Sequence, residues 1–226
     1  LQDYVMNFDG NNQYINAGVI SALSNVSEYS ISLWANIDTG ASGTLRLFGN
    51  RESSSPFNGI GADIDLSASL YFYLNGGPSY PVVQVANISN YVTAGTWFNL
   101  ICTFNSGQAY IFIDGVQRGS GTGSSTADTT TNPLYIGADP INTGSYFDGK
   151  ISNVAIWNTD QSTNKDNIYN NGSPQTSYTV TPQNWWKLNA DSVYTPSVSS
   201  YSTSLNFDGS NTEYIDTNFT GLNNAS

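Results

Sequence analysis

Apolar and polar residues alternate in short runs along most of this chain, which is the period of β-strands rather than of helices. The clearest run covers residues 28–37 and places every second side chain on one face. That apolar face comprises Tyr29, Ile31, Leu33, Ala35 and Ile37. Further strands are predicted at 45–50, 59–66, 70–74, 81–88, 96–104, 108–114, 133–137 and 149–157.

Turn residues between these runs predict antiparallel neighbours. Asp114-Gly115 separates two apolar runs and is typical of a type I′ hairpin, in which both central residues need positive φ. Asn105-Ser-Gly107 has the same role one hairpin earlier. One short helix is predicted at 162–170, with Ser162 or Thr163 as its N-cap. The pattern predicts an all-β, two-sheet antiparallel sandwich or jelly roll with one short helix near the end of the domain.

The chain changes character between residues 172 and 204, where Ser, Thr, Pro and Tyr predominate. The segment Asn184-Trp-Trp-Lys-Leu188 interrupts this composition. We interpret residues 173–203 as a connector that carries one strand or docking patch. The two tryptophans of an extended segment point to opposite sides, so at most one of Trp185 and Trp186 is expected to bury fully.

A repeat relates the two ends of the chain. Asn7-Phe-Asp-Gly10 followed by Tyr14-Ile15 recurs as Asn206-Phe-Asp-Gly209 followed by Tyr214-Ile215. The separation is one domain length, so residues 1–172 are expected to form one complete domain and residues 204–226 the first hairpin of a second, truncated copy. That hairpin is expected to pair with an exposed sheet edge in the same chain or a neighbouring one.

The order of the motifs resembles a known family of domains. The motifs are Met6-Asn-Phe-Asp-Gly10, Tyr29-Ser-Ile-Ser-Leu-Trp-Ala35, the hairpin from Thr96 to Val116, Leu134-Tyr-Ile-Gly137, and Phe147-Asp-Gly-Lys-Ile-Ser-Asn-Val-Ala-Ile-Trp157. Together they are similar to laminin-G-like, concanavalin A-like lectin-glucanase jelly-roll domains, in the version common in marine phage and bacterial surface proteins. The resemblance implies a two-sheet jelly roll used for carbohydrate or protein recognition, adhesion and structural spacing.

Composition narrows the set of partners. Six basic and seventeen acidic residues give a formal net charge of −11, and the chain has no histidine. Such a chain has no basic stripe to neutralise nucleic-acid phosphates or to bind an anionic membrane. No apolar run is long enough for membrane insertion. The single Cys102 cannot form an internal disulfide and is expected to be a small buried residue.

Calcium is the cofactor that the resemblance implies, because relatives often bind it at the rim of the sandwich. The candidate ligands in this sequence are Asp139, Asn142, Asp148 and Asp9. Oxygen ligands of this kind suit a hard cation that takes six to eight of them. The alternative is that Asp148 and Asp9 stabilise the turns before Gly149 and Gly10.

A catalytic role finds little support in the sequence. Glycosidases related to this family carry alternating acidic residues on one strand, and the nearest match here is Asp63-Ile-Asp65, without the final glutamate. A retaining glycosidase needs two carboxyl groups about 5 to 5.5 Å apart. Without histidine there is no Ser-His triad and no histidine-ligated zinc. We therefore interpret Asp63 and Asp65 as solvated carboxylates at a strand end, in a protein that is not an enzyme.

Sugar binding has better candidates. Aromatic rings stack on the apolar faces of pyranose rings, and alternation in residues 70–74 puts Tyr71 and Tyr73 opposite Phe72. With Asn75 and Tyr80 they form a candidate carbohydrate-binding patch. The remaining strand tryptophans, Trp34, Trp97 and Trp157, are assigned to the core.

The leading hypothesis is a non-catalytic carbohydrate-recognition or adhesion module of a multi-domain phage fibre or bacterial surface protein, extracellular or on a virion. Its partners are a cell-surface glycan or polysaccharide and neighbouring repeats, with no nucleic acid. The first alternative is a purely structural spacer or a capsid or tail decoration module. The second alternative is a glycoside hydrolase.

Overall fold

The structure is a computed structural model that describes residues 5–53, 58–74, 82–126, 130–141 and 144–188, and every structural statement below concerns these residues. Its strands in chain order are β1 (Met6–Asp9), β2 (Ile15–Asn16), β3 (Glu28–Ile37), β4 (Leu45–Gly49), β5 (Gly61–Ile64), β6 (Ser69–Tyr73), β7 (Val82–Ala86), β8 (Trp97–Asn105), β9 (Gln108–Ile113), β10 (Val116–Thr122), β11 (Tyr135–Ile136), β12 (Asp148–Trp157) and β13 (Asn184–Trp186).

Within the described residues these strands form two antiparallel sheets. The larger sheet has seven strands in the order β1-β12-β3-β8-β9-β10, with β13 added beside β12. The smaller sheet has six strands in the order β2-β11-β4-β5-β6-β7. The predicted two-sheet antiparallel sandwich is confirmed, and each predicted strand matches an observed one within a few residues at either end.

The main core lies between the two sheets. The predicted apolar face of β3 is confirmed, because Tyr29, Leu33 and their three alternate neighbours are all at most 1% exposed. Phe72 of the smaller sheet packs edge-on against Tyr29, with ring centroids 6.3 Å apart. Cys102 is fully buried, as expected, and burial raises the pKa of its thiol. A thiol held protonated in an apolar core behaves as a small hydrophobe.

Both predicted hairpin turns are confirmed. Asp114 and Gly115 have φ values of 51° and 74°, and Ser106 and Gly107 have values of 49° and 93°. Positive φ at both central residues is the signature of the type I′ turn, whose twist matches that of the flanking strands. These turns fix the register of β8, β9 and β10.

The short helix is present, although its cap differs from the prediction. A 3₁₀ turn at Ser162–Asn164 leads into α1 (Lys165–Tyr169). The prediction of Ser162 or Thr163 as N-cap is wrong: the N-cap residues are Gln161 for the 3₁₀ turn and Asn164 for α1, and neither makes a side-chain capping hydrogen bond. Asp160 Oδ1 accepts the Ser162 N–H at 2.8 Å, and Asp160 Oδ2 accepts the Ser162 hydroxyl at 2.9 Å. Asp160 thereby stabilises the turn that leads into the helix.

A third layer covers part of the outer face of the larger sheet. The segment interpreted as a connector contains β13, which pairs with β12. Trp157 donates its indole N–H to the Val180 carbonyl at 2.8 Å, and Tyr178 packs edge-on against both Trp157 and Trp185. We call α1 and residues 178–186 the strap. It builds a second, smaller core on the outside of the sheet.

The positions of the tryptophans refine the sequence assignment. Trp185 packs on the smaller core and Trp186 on the main core, so the two point to opposite sides as expected. Trp34 and Trp157 are buried, but beneath the strap instead of between the sheets. The core assignment of Trp97 is wrong: it is half-buried on the outer face, because alternation along β8 points its neighbour Phe98 inward.

The copy of the first hairpin at residues 204–226 lies outside the described residues, and the domain division stays a prediction. No helix in the described part of the chain is long and apolar enough to cross a membrane.

Two glycines provide a matched test of the strand geometry. Gly149 has a φ of 139°, and a Cβ there would overlap the Asn36 carbonyl oxygen of the adjacent strand. Gly40 would meet no atom within 4 Å. We expect Gly149→Ala to lower the free energy of unfolding by about 3 kcal/mol, from strain and overlap. We expect Gly40→Ala to stay within about 1 kcal/mol. Urea unfolding measures both, and equal effects would contradict the geometry.

Candidate functional site

The candidate carbohydrate-binding tyrosines lie on the outer face of the smaller sheet. Phe72 is fully buried between the sheets, whereas Tyr71 and Tyr73 are half-buried and point outward, as alternation predicted. Their ring centroids are 6.1 Å apart and the rings are inclined by 32°. The other two predicted members of the patch, Asn75 and Tyr80, lie outside the described residues.

A polar side chain accompanies the two rings. Gln84 of β7 is the cross-strand partner of Tyr71. Its amide nitrogen donates to the Ser69 hydroxyl at 2.9 Å and to the Tyr71 hydroxyl at 3.3 Å. The amide is exposed and held in place from two sides, so its oxygen is available to a ligand hydroxyl.

Four charged residues lie beside the tyrosines on the same face, and we call Arg46, Arg51, Asp63 and Asp139 the charged tetrad. Arg46 forms an ion pair with Asp63, and Arg51 Nη2 lies 3.5 Å from Asp63 Oδ2. Arg51 Nε donates to Asp139 Oδ2 at 2.5 Å, and its guanidinium lies 4.0 Å from the centre of the Tyr73 ring. The tetrad is neutral overall, and its members come from β4, from β5 and from the segments that follow β4 and β11.

The interpretation of Asp63 as a solvated carboxylate is therefore wrong. Asp63 is 1% exposed, because the two arginines fold over it. Asp65 follows the end of β5 and is half-buried. Its Oδ1 accepts hydrogen bonds from the Ser67 N–H at 2.9 Å and the Ser67 hydroxyl at 2.6 Å, which stabilises the turn before β6.

Two glycines let the charged tetrad lie directly on the sheet. Gly49 and Gly61 are cross-strand partners beneath it. A Cβ at Gly49 would overlap the Asp139 carboxylate, and one at Gly61 would lie 2.9 Å from Asp139 Oδ2 and 3.0 Å from Arg51 Nε. Any larger residue at these positions would displace the Arg51–Asp139 pair.

Burial opposes the charges of the tetrad. It raises the pKa of Asp139, and Arg51 and Arg46 act in the opposite direction by favouring the carboxylate. Burial likewise lowers the pKa of Arg46. Within the described residues, Arg46 Nε and Asp63 Oδ1 are buried without a hydrogen bond. The four side chains therefore depend on one another, because each charge is tolerated only while its partners remain.

A second group of tyrosines lies at the other side of this face and was missed by the sequence analysis. Tyr14 packs on Tyr135 with ring centroids 4.4 Å apart and on Tyr146 at 6.5 Å. Tyr135, Gly49, Gly61 and Tyr73 are successive cross-strand partners on adjacent strands. Three strand spacings separate the two tyrosine groups, which is about 14 Å.

The candidate calcium ligands are distributed over different parts of the fold. Asp9 and Asp148 face each other as cross-strand partners of β1 and β12. Asp9 Oδ1 accepts the Asn11 N–H at 3.0 Å, which is a turn-stabilising role. Asp139 has a guanidinium partner instead, and Asn142 lies outside the described residues. No group of three or more acidic, His or Cys side chains in the described ranges could hold a metal. Calcium binding stays a prediction.

One sequence signal could have revealed the charged tetrad. The chain has only three arginines; Arg46 lies within strand β4, and Arg51 follows two residues after its end. Because basic residues are rare in this acidic chain, two arginines close together in the sequence indicate specific carboxylate partners. Their carboxylate partners, however, are brought near only by strand pairing and by the crossing of β11 beside β4.

Comparison with known proteins identifies the fold. The family model described as the concanavalin A-like lectin/glucanases superfamily matches residues 9–165. No curated protein sequence matches the chain. Three solved structures with similar folds come from very different organisms, and the chain spans about a third to a half of the length of each.

The first is the mouse laminin α1 chain, domains LG4-5, with 20% identity and a TM-score of 0.54 over 69% of this chain and 41% of that one. The second is the enzymatically active domain of a tailspike protein of bacteriophage CBA120, with 12% identity and a TM-score of 0.59 over 83% and 34%. The third, from Bacteroides ovatus, is described as a candidate carbohydrate-binding protein, with 18% identity and a TM-score of 0.58 over 83% and 53%.

Removal of one charge tests the interdependence of the tetrad. We expect Asp63→Asn to lower the free energy of unfolding by about 4 kcal/mol, because the buried Arg46 loses its counter-charge and Arg51 loses one of its two carboxylate partners. Asp166→Asn is the matched control, since it removes an exposed partner of Lys165, and we expect a change within about 0.5 kcal/mol. Denaturant unfolding compares the variants. A small effect at Asp63 would show that the tetrad is solvated.

Proposed function

Because the chain belongs to the concanavalin A-like lectin/glucanase superfamily, we propose that it is a non-catalytic carbohydrate-recognition module whose ligand binds the outer face of the smaller sheet. The observation that carries this proposal is the outward pair Tyr71 and Tyr73 beside the exposed amide of Gln84. Ring faces for a pyranose and a fixed polar group for its hydroxyls are the combination that sugar sites use.

The neighbouring side chains hold the rings of Tyr71 and Tyr73 in position, which favours ligand binding. Tyr73 is held by the Arg51 guanidinium, which is fixed in turn by Asp139. Tyr71 is held by Gln84. Rings that are already positioned lose little conformational entropy when a ligand binds, so more of the contact energy contributes to affinity.

The carboxylates on this face support binding rather than hydrolysis. Asp63 and Asp139 are buried and paired with guanidinium groups, whereas a glycosidase needs one carboxyl group that can protonate the leaving oxygen and another that reaches the sugar ring. Hydrolysis is the less favoured alternative. Its support is that a fold neighbour is the enzymatically active domain of a phage tailspike.

The fold neighbours also support a setting outside the cell. They include a phage tailspike, a laminin chain and a candidate carbohydrate-binding protein of Bacteroides ovatus. We infer that the chain is an adhesion module of an extracellular or virion-surface protein, with a cell-surface glycan as ligand and neighbouring repeats of the same particle as further contacts. The structural spacer is the second candidate, and it is favoured by the packing of the strap on β12.

Loss of the two rings is the direct test. We expect Tyr71→Ala and Tyr73→Ala each to weaken glycan binding about fivefold, since an aromatic contact contributes about 1 kcal/mol beyond its area. A glycan array of marine and bacterial polysaccharides, with calcium and with chelator, identifies the ligand, and titration gives the Kd. Tyr91→Ala is the matched control, because Tyr91 is an exposed tyrosine packed against Arg118 instead.

Three results would change the proposal. A blank array from folded protein would favour the structural spacer. New reducing ends after incubation with a bound polysaccharide would show hydrolysis. Binding lost in chelator would establish a calcium requirement and direct mutagenesis to Asp139, Asp148 and Asp9.

A further inference from the structure

The strap leaves one row of the larger sheet's outer face uncovered. On the side next to this row, the strap ends where the Tyr169 ring stacks on the Trp34 ring, with ring centroids 6.0 Å apart. Two residues further along β3, Asn36 lies between its cross-strand partners Lys150 of β12 and Trp97 of β8. These three outward side chains form the floor of a cleft of about 680 Å³.

The walls of this cleft are two turns held by hydrogen bonds. In the first, Asp38 N–H donates to the Asp148 carbonyl at 3.1 Å and Ala41 N–H to the Asp38 carbonyl at 3.0 Å. In the second, Gly95 N–H donates to the Ile37 carbonyl at 2.7 Å, and the Asn36 amide donates to the Gly95 carbonyl at 3.0 Å. The cleft is therefore formed before any ligand arrives, and its volume is in the range of small-ligand sites.

The chemistry of the lining is that of a saccharide site. Trp97 is a half-buried aromatic on the floor. Lys150 Nζ donates to Asp38 Oδ1 at 3.1 Å, and both side chains are about four-tenths exposed. An ammonium has three donors and a carboxylate several acceptor sites, so each retains capacity for ligand hydroxyls. Asp148 adds a second carboxylate to the lining.

The charge of the lining selects among sugars. Two carboxylates and one ammonium leave one net negative charge in a chain whose formal net charge is −11. A uronic or sialic acid would be repelled, whereas a neutral sugar supplies only hydroxyls to charged partners. We propose that this cleft is a second binding site, on the opposite sheet from the tyrosine face, for a neutral saccharide of one or two residues.

The experiment uses the full chain labelled with ¹⁵N, in which the five tryptophans give five indole N–H signals. Trp97→Phe identifies the signal of Trp97, and the buried Trp157 serves as internal reference. The probes are the methyl glycosides of glucose, galactose, mannose and N-acetylglucosamine, with methyl glucuronide as the anionic comparison. We expect at least one neutral glycoside to shift the Trp97 signal in a saturable manner, and the glucuronide to bind at least fivefold more weakly.

Lys150→Met removes the ammonium from the cleft, and we expect the affinity for that glycoside to fall about tenfold. Lys165→Met is the matched control, because it breaks a lysine–aspartate pair on α1 and leaves the cleft intact. Failure of every neutral glycoside to shift the Trp97 signal would overturn the proposal. So would unchanged affinity in Lys150→Met.

A combined Tyr71→Ala and Tyr73→Ala variant separates this site from the one on the smaller sheet. We expect the Trp97 shift to persist in it, even if binding of longer glycans is lost. Loss of the Trp97 shift in this variant would show that the cleft is not an independent site. If the glycan array shows no binding but the Trp97 signal still shifts, the proposal for the cleft is supported and the proposed site at Tyr71 and Tyr73 is contradicted.

Discussion

Packing of the two sheets against each other buries alternate side chains of the central strands, so their remaining side chains must be accommodated on two outer faces. The interior is almost wholly apolar, and it accounts for the burial of Tyr29, Phe72 and Cys102 alike. The charged tetrad, the half-buried tyrosines and the strap belong to the outer faces. The chemistry of this protein is therefore decided by how each outer face is covered.

The smaller sheet covers its outer face with charge. Buried ion pairs stabilise a fold only weakly against an apolar replacement, since desolvation offsets most of their attraction. What the charged tetrad contributes is position: Asp139 rests on Gly49 and Gly61, and Arg51 lies between it and Tyr73. The tyrosine surface thus has a rigid support that an apolar cluster of the same volume would not orient as specifically.

The larger sheet has part of its outer face covered by the strap. Trp157 and Tyr178 pack there, and β13 extends the sheet beside β12. Because the strap stops at Trp34, the next row keeps a tryptophan, a lysine and two carboxylates around a preformed cleft. The outer faces of the two sheets therefore differ: the smaller sheet presents Tyr71 and Tyr73, and the larger sheet has a cleft with Trp97 at its base.

Sequence alone determined the strands, the hairpins and the two-sheet architecture, because strand period and turn chemistry are local properties of a few consecutive residues. It also placed Tyr71 and Tyr73 on the face opposite Phe72. Alternation shows that two faces exist, but it does not show what covers each of them. For that reason Trp97 was assigned to the core and Asp63 to solvent, whereas Trp97 is half-buried on an outer face and Asp63 is buried. Only tertiary structure brings Arg51 to Asp139, 88 residues away, or lays the strap over Trp157, since these contacts depend on which strands become neighbours across the fold.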